Sequence, residues 1–239
     1  MLFTPLIKQK KGASKSSLQP PFPDGSPVIG VFTGISVEVC AAEDIRKVYE
    51  NGFFGKGSKS RGAPKLVTKG TIDDTESLSL ELEESAFLAY FVGVLCIHDI
   101  QCNEMQYREF LEAARNVNPN FLECFGSYLY LKSKGWIIKS GIKFGGNFLI
   151  YKKGPRFNHA SFIIFVHPKS DTKDFSIKDL KGLQRIAETS DKDVLLLDVM
   201  KPNDLTYNTL SDIAALKISE TIVRRFNSTS FVQSQKITK

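Results

Sequence analysis

Several common chemistries are excluded by what this chain has little of. No apolar run approaches the roughly 18 residues of a membrane-spanning helix, and no signal-peptide pattern is present. Its four cysteines, Cys40, Cys96, Cys102 and Cys124, are irregularly spaced with no CxxC pair, which argues against both a zinc site and a disulfide framework. Free thiols fit a reducing intracellular compartment. The clustered carboxylates of a metal-dependent nuclease are also missing: Asp198 precedes Lys201 by three positions, without an acidic partner or an E-x-K pattern. Neither a metal site nor a cofactor is expected. The single tryptophan, Trp136, is expected to be a core anchor between two domains rather than a base-stacking platform.

What is present suits a globular protein with a polyanionic partner. Hydrophobic residues make up 42% of the 239 positions, enough for one or two small cores, and the net charge of +6 gives an isoelectric point near 9.0. Residues 1–26 mix Lys8, Lys10, Lys11 and Lys15 with Ser, Gln, Pro and Gly, the composition of a flexible basic tail. Residues 27–125 are expected to form a small α/β domain. VIGVFTGISVEVC reads as strand, AAEDIRKVYENG as a helix ending at Gly52, Gly55–Gly70 as a mobile basic loop, and Leu80–Cys96 and Met105–Val117 as helices. Residues 126–239 form a second domain. After a helix over Phe121–Gly135, which leads into it, the pattern runs strand, strand, strand, helix, strand, with SIKDLKGLQRIAETS as its one clear helix. The fold class is α/β (α+β): a small N-terminal α/β domain followed by a domain with a small mixed sheet flanked by helices.

The candidate chemistry sits at strand ends. Tyr151 closes the apolar run NFLIY, His159 opens HASFIIFV, and a basic loop containing Lys152, Lys153, Gly154, Pro155 and Arg156 joins them, so the two side chains can meet across a turn. Lys201 closes a third run, VLLLDVM, before Pro202 and Asn203. Three ionisable strand ends describe a site at a sheet edge, and the set suits RNA cleavage by the neighbouring 2′-hydroxyl, which needs only a base, an acid and a positive charge. Histidine, with a reference pKa of about 6.5, can protonate a leaving 5′-oxygen. Lysine can balance charge on the phosphorane oxygens. Tyrosine is the difficult member, since at a reference pKa of about 10 only roughly one in a thousand is ionised at pH 7. Lys201 or the loop cations would have to favour the tyrosinate. Each residue also has a plain reading: tyrosine and histidine suit a half-buried pleated surface, and a strand-end lysine commonly keeps its head in water. His98 and His167 are given no catalytic role.

The stretch Tyr128–Val166, with YLYLKSKGW, KFGGNFLIYKKGP and the HAS strand in that order, together with VMKPND, resembles the catalytic core of tRNA-splicing endonucleases. Upstream, SVEVCAAEDIRKVYENGFFGKGSKSRG is similar to the N-terminal region of the eukaryotic catalytic subunit that cuts the 5′ splice site. The resemblance implies a restriction-endonuclease-like catalytic domain, with Tyr151 as general base, His159 as general acid and Lys201 stabilising the transition state. It implies precursor tRNA as substrate, partner subunits in a heterotetramer joined through sheet edges such as ISETIVRRF, and a nuclear location, or the cytoplasmic face of an organelle. It also implies RNA contacts, for which the chain offers Arg224, Arg225 and Phe226 near its end, Lys192 upstream of Lys201, and Lys153 and Arg156 in the loop. A silent structural subunit and a general RNA-binding domain are the competing readings.

Overall fold

A short hairpin starts the first sheet: β1 (Val28–Phe32) turns through Gly34, at φ 97°, into antiparallel β2 (Val37–Val39). The computed structural model describes residues 10, 22–60, 62–70, 76–169, 176–190, 192–202, 206 and 208–224. Next, α1 (Ala42–Glu50) carries Glu43 and Asp44 in its first turn and Lys47 in its last, matching the helix dipole, and buries Ile45, Val48 and Tyr49. Then come β3 (Lys56–Gly57), α2 (Lys65–Lys69), β4 (Leu78–Leu80), α3 (Leu82–Ala86) with a π-helical continuation over Phe87–Val92, and β5 (Leu95–His98). The sheet order is β3-β4-β2-β1-β5, with β5 parallel to β1 and the other pairs antiparallel.

Two expectations fail in this half. The segment 55–70 is not merely a loop, because it holds β3 and α2. The helix expected over Leu80–Cys96 is split into strand, helix and strand. Gly93, at φ 77°, ends the helix by donating its N–H to Leu88 O, and the run that follows pairs with β1 in the register Val28↔Leu95. A four-residue apolar run has no period to separate strand from helix; its partner decides. Packing onto this half also begins before residue 27, since the Phe22 ring lies 5.7 Å from that of Phe87.

Two helices lead into the second half. In α4 (Tyr107–Val117), Gln106 and Glu109 form a capping box. The following helix, α5 (Phe121–Ser133), is apolar nearly all round and buried from Phe121 to Tyr128, as a helix packed on several sides must be. It touches β6, β8 and β9 on one side and α3 and α4 on another.

The second sheet comprises β6 (Ile137–Ser140), β7 (Phe148–Tyr151), β8 (Phe162–Pro168), β9 (Asp193–Met200) and β10 (Lys217–Val223) in the order β10-β9-β8-β7-β6. Only β8 and β9 are parallel, and α6 (Ile177–Ser190) makes their crossover. A second helix, α7 (Leu210–Ala214), which the pattern did not suggest, is capped by Thr209, whose hydroxyl accepts from Asp212 N at 3.3 Å.

Strand alternation gives this sheet two apolar faces. Phe148, Ile150, Phe162, Ile164, Leu195, Leu197 and Val199 face α5 and belong to a core continuous with the first half. Leu149, Ile163, Val194 and Leu196 pack with Leu183 and Ala187 of α6. Tyr128 joins the halves through its ring, 5.7 Å from Phe87 and 5.9 Å from Phe148. Trp136 instead meets Phe162 of its own sheet, at 6.2 Å, and carries Lys152 Nζ 5.5 Å from its ring.

Candidate active site

Sheet register brings Tyr151 and His159 to one edge. Ile150 stands opposite Phe162, and Ser161 N donates to Ile150 O at 2.8 Å, so the chain doubles back one residue beyond Tyr151. His159 lies two residues before Ser161 and is exposed. The intervening loop turns at Gly154, φ 110°, whose carbonyl accepts from Phe157 N at 3.1 Å and Asn158 N at 3.0 Å. Tyr151 continues the alternation of Leu149 and packs, half-buried, on the α6 face.

Lys201 does not join them. Because β8 and β9 are parallel in the register Phe162↔Asp193, the start of β9 lies beside the Tyr151 edge and its end lies at the far side of the sheet. The eight residues of β9, at about 3.3 Å each, put Lys201 roughly 25 Å away. It is also on the opposite face, where its ammonium meets Glu123 Oε1 of α5 at 2.6 Å. Three strand ends do not mean one sheet edge, and here strand direction separates them.

The lysine at the Tyr151 end of β9 is Lys192. It immediately precedes β9, donates to Ser190 O at 2.9 Å, and holds its Nζ 4.9 Å from the Phe144 ring, which packs with Tyr151 on the α6 face. Arg224 is at this edge too: Val223 pairs with Val194, and Arg224 Nε donates to Asp193 Oδ2 at 2.8 Å. Arg225 and Phe226 lie outside the described residues. His167, at the other end of β8, bonds through Nδ1 to Asp198 Oδ1 at 2.9 Å.

Tyr151 opens into a cleft of about 980 Å³ between the two halves. Phe53, Lys56 and Val67 line it from the first half, and Ile142, Phe144 and Phe157 from the second. Among the described residues, seven that line it are basic (Lys10, Lys56, Lys139, Lys143, Lys152, Lys153 and Arg156) against one acid, Glu50. The loop is held from outside as well: Lys10 donates through its backbone N–H to Phe157 O at 3.0 Å and through Nζ to Pro155 O. Such a surface concentrates a polyanion.

Electrostatics at the tyrosine run against the sequence-based expectation. Burial pushes the Tyr151 phenol above the usual tyrosine value, and no neighbouring cation reverses it. Tyr49 is pushed up to about 12, first by burial and then by Glu84 and Tyr151, against an opposing effect of Arg156. Among the described residues, no group of three or more His, Cys, Asp or Glu side chains is placed to hold a metal ion.

Comparison with known proteins divides the chain where the fold does. Residues 28–111 match the N-terminal domain of tRNA intron endonuclease, and residues 121–207 match its catalytic C-terminal domain. A tRNA-splicing endonuclease of Pyrobaculum islandicum is 30% identical over 173 residues, covering 72% of this chain and 91% of that protein. The chain belongs to the tRNA intron endonuclease family. It is also similar to tRNA-splicing endonuclease subunit Sen2 of Gallus gallus and of Mus musculus, 32% identical to each over 160 residues, or 63% of this chain. It spans about a third of the length of these Sen2 relatives, 34% and 35%. Both tRNA intron endonuclease domains are thus present here, and Lys192, Tyr151 and His159 all fall inside the catalytic match. No helix of the described residues is long and apolar enough to cross a membrane.

Proposed function

We propose that this chain is a catalytic subunit of a tRNA-splicing endonuclease, cutting precursor tRNA at the 5′ splice site without a metal and leaving 2′,3′-cyclic phosphate and 5′-hydroxyl ends. The observation that carries the reading is the gathering of Tyr151, His159 and Lys192 at one edge of the second sheet, beside a cleft rich in cations. Tyr151 accepts the 2′-hydroxyl proton, the oxygen attacks phosphorus, and His159 protonates the departing 5′-oxygen. Lys192 takes the role first given to Lys201, balancing the charge on the phosphorane oxygens. Since burial disfavours the tyrosinate, the base function rests on a small ionised fraction, and positioning must supply much of the rate.

Lys153 and Arg156 on the loop and Arg224 at the end of β10 are the proposed RNA contacts. Partner subunits, in a heterotetramer, are proposed to pair along β10, an edge strand exposed at most positions, and a nuclear location belongs to the same proposal. The test is cleavage of an intron-containing precursor tRNA in EDTA by the chain assembled with its partner subunits, with the new ends identified. Cutting at the 5′ splice site to a cyclic phosphate, lost in His159→Ala while RNA affinity is kept, is the expected result. Wild-type cutting by that variant, or none without magnesium, sinks the assignment.

A further inference from the structure

The loop between Tyr151 and His159 is braced by the other half of the protein. Phe53 follows α1 and has φ 62°, a left-handed backbone that a bulky side chain rarely adopts and that persists only where the surroundings enforce it. Three contacts enforce it here. Phe53 N donates to Tyr49 O at 2.9 Å, and Lys139 Nζ of β6 donates to Phe53 O at 2.7 Å and also to Gly55 O. Gly55 N donates to Glu84 Oε2 at 3.0 Å, and Glu84 Oε1 lies 3.4 Å from Lys139 Nζ.

This scaffold presses the Phe53 ring onto the loop. A Cβ added to Gly154 would stand 2.5 Å from Phe53 Cε2 and 2.8 Å from Cδ2, so the ring lies directly against the Gly154 backbone. On its other sides it meets Phe157 at 6.1 Å and Tyr49 at 5.8 Å, both edge-on. The Gly154 carbonyl, five residues before His159, accepts from Phe157 N and Asn158 N and so sets the loop's turn; fixing Gly154 therefore fixes the path from Tyr151 to His159.

We propose that Phe53 is a positioning residue for cleavage: held in a strained conformation by Lys139, it sets the Tyr151–His159 loop, so that the N-terminal half completes the active site. The inference rests on the function proposed above. Displacing a catalytic group by about 1 Å can cost a hundredfold in rate while leaving substrate affinity alone.

The experiment is single-turnover cleavage of precursor tRNA at saturating enzyme, with RNA affinity measured in parallel, using the full chain assembled with its partner subunits. Phe53→Ala is expected to slow cleavage about tenfold to a hundredfold with affinity changed by less than about twofold, and Phe53→Tyr, which keeps the ring, to restore most of the rate. Gly154→Ala, which pushes the same contact from the loop side and also strains the backbone at φ 110°, should slow cleavage at least as much. The double variant should be no slower than the slower single, because both substitutions act on the same ring-to-loop contact. Phe53→Ala that assembles and cuts within about twofold of wild type overturns the inference; if it does not assemble, wild-type cutting by Gly154→Ala does so. Cleavage by wild type with unchanged variants removes only the positioning role, whereas no cleavage by wild type overturns the functional reading and this inference with it.

Discussion

At the scale of single residues, two lysines flank the same strand and only Lys192 stands at the Tyr151–His159 edge. Lys192→Ala should lower the single-turnover cleavage rate by about a hundredfold or more, the usual cost of losing one group aimed at a developing oxyanion. Lys201→Ala should leave that rate within about twofold but destabilise the fold by about 1–2 kcal/mol in urea denaturation, because it leaves the buried Glu123 carboxylate without its partner. The converse pattern would return the catalytic lysine to the far end of β9. The nearness of Tyr151 and His159 at one sheet edge was legible in the sequence because they stand on either side of one loop, a local relation that apolar runs and a Gly-Pro loop describe. The lysine was not, because its placement depends on β9 running parallel to β8 after the α6 crossover. Each end of VLLLDVM has a lysine close by, and only strand direction tells them apart.

At the scale of elements, α3 combines helix-starting chemistry with burial. Its first turn holds Glu83 and Glu84, with Glu81 at the cap in a capping box, close to Lys139 and to Lys132, whose ammonium lies 4.1 Å from the Phe54 ring. Burial, reinforced by Glu81, pushes Glu83 up to about 8, and burial pulls Lys132 down to about 7 against the attraction of Glu84. A carboxyl raised on folding binds its proton more tightly in the native than in the unfolded state, so its contribution is fully present below the unfolded pKa near 4.5 and is lost as pH rises to about 8. Glu83→Gln, which cannot titrate, should therefore match wild type near pH 4 and gain on it steadily up to about pH 8, then hold that advantage, in thermal melts across the range. Equal melting temperatures for the two at pH 8 would show that Glu83 is already ionised without cost. This helix also marks where reading by pattern stops: its apolar spacing was visible from Leu80 onward, but the strand at Leu95–His98 owes its existence to β1, and the two residues of β3 to β4. Long amphipathic elements such as α1, α4 and α6 carry their own period and were visible; short ones borrow their conformation from a partner.

At the scale of the whole molecule, the net charge of +6 says only that a polyanion is welcome, and folding decides where. Lys56 comes from β3, Lys139 and Lys143 from β6 and the turn after it, and Lys152, Lys153 and Arg156 from the loop, yet all line one cleft with Tyr151. Some of this charge is already committed, since Lys139 is bound to Phe53 O and faces Glu84, whereas Lys153 and Arg156 are exposed on the loop. Those two, on the loop that follows Tyr151, are proposed to meet phosphates of an incoming strand. Each phosphate contact releases condensed counterions, which adds about 0.7 to the slope of log affinity against log salt for a single strand. Lys153→Ala combined with Arg156→Ala should therefore reduce that slope by about 1.4 in binding measured over a salt series, weakening affinity most at low salt. The double variant should also cut more slowly at subsaturating RNA while recovering toward the wild-type rate at saturation, because these side chains hold the substrate rather than move its protons. An unchanged slope would mean that the RNA enters by another face, and would leave the cations of this cleft to a purely structural part in joining the two halves.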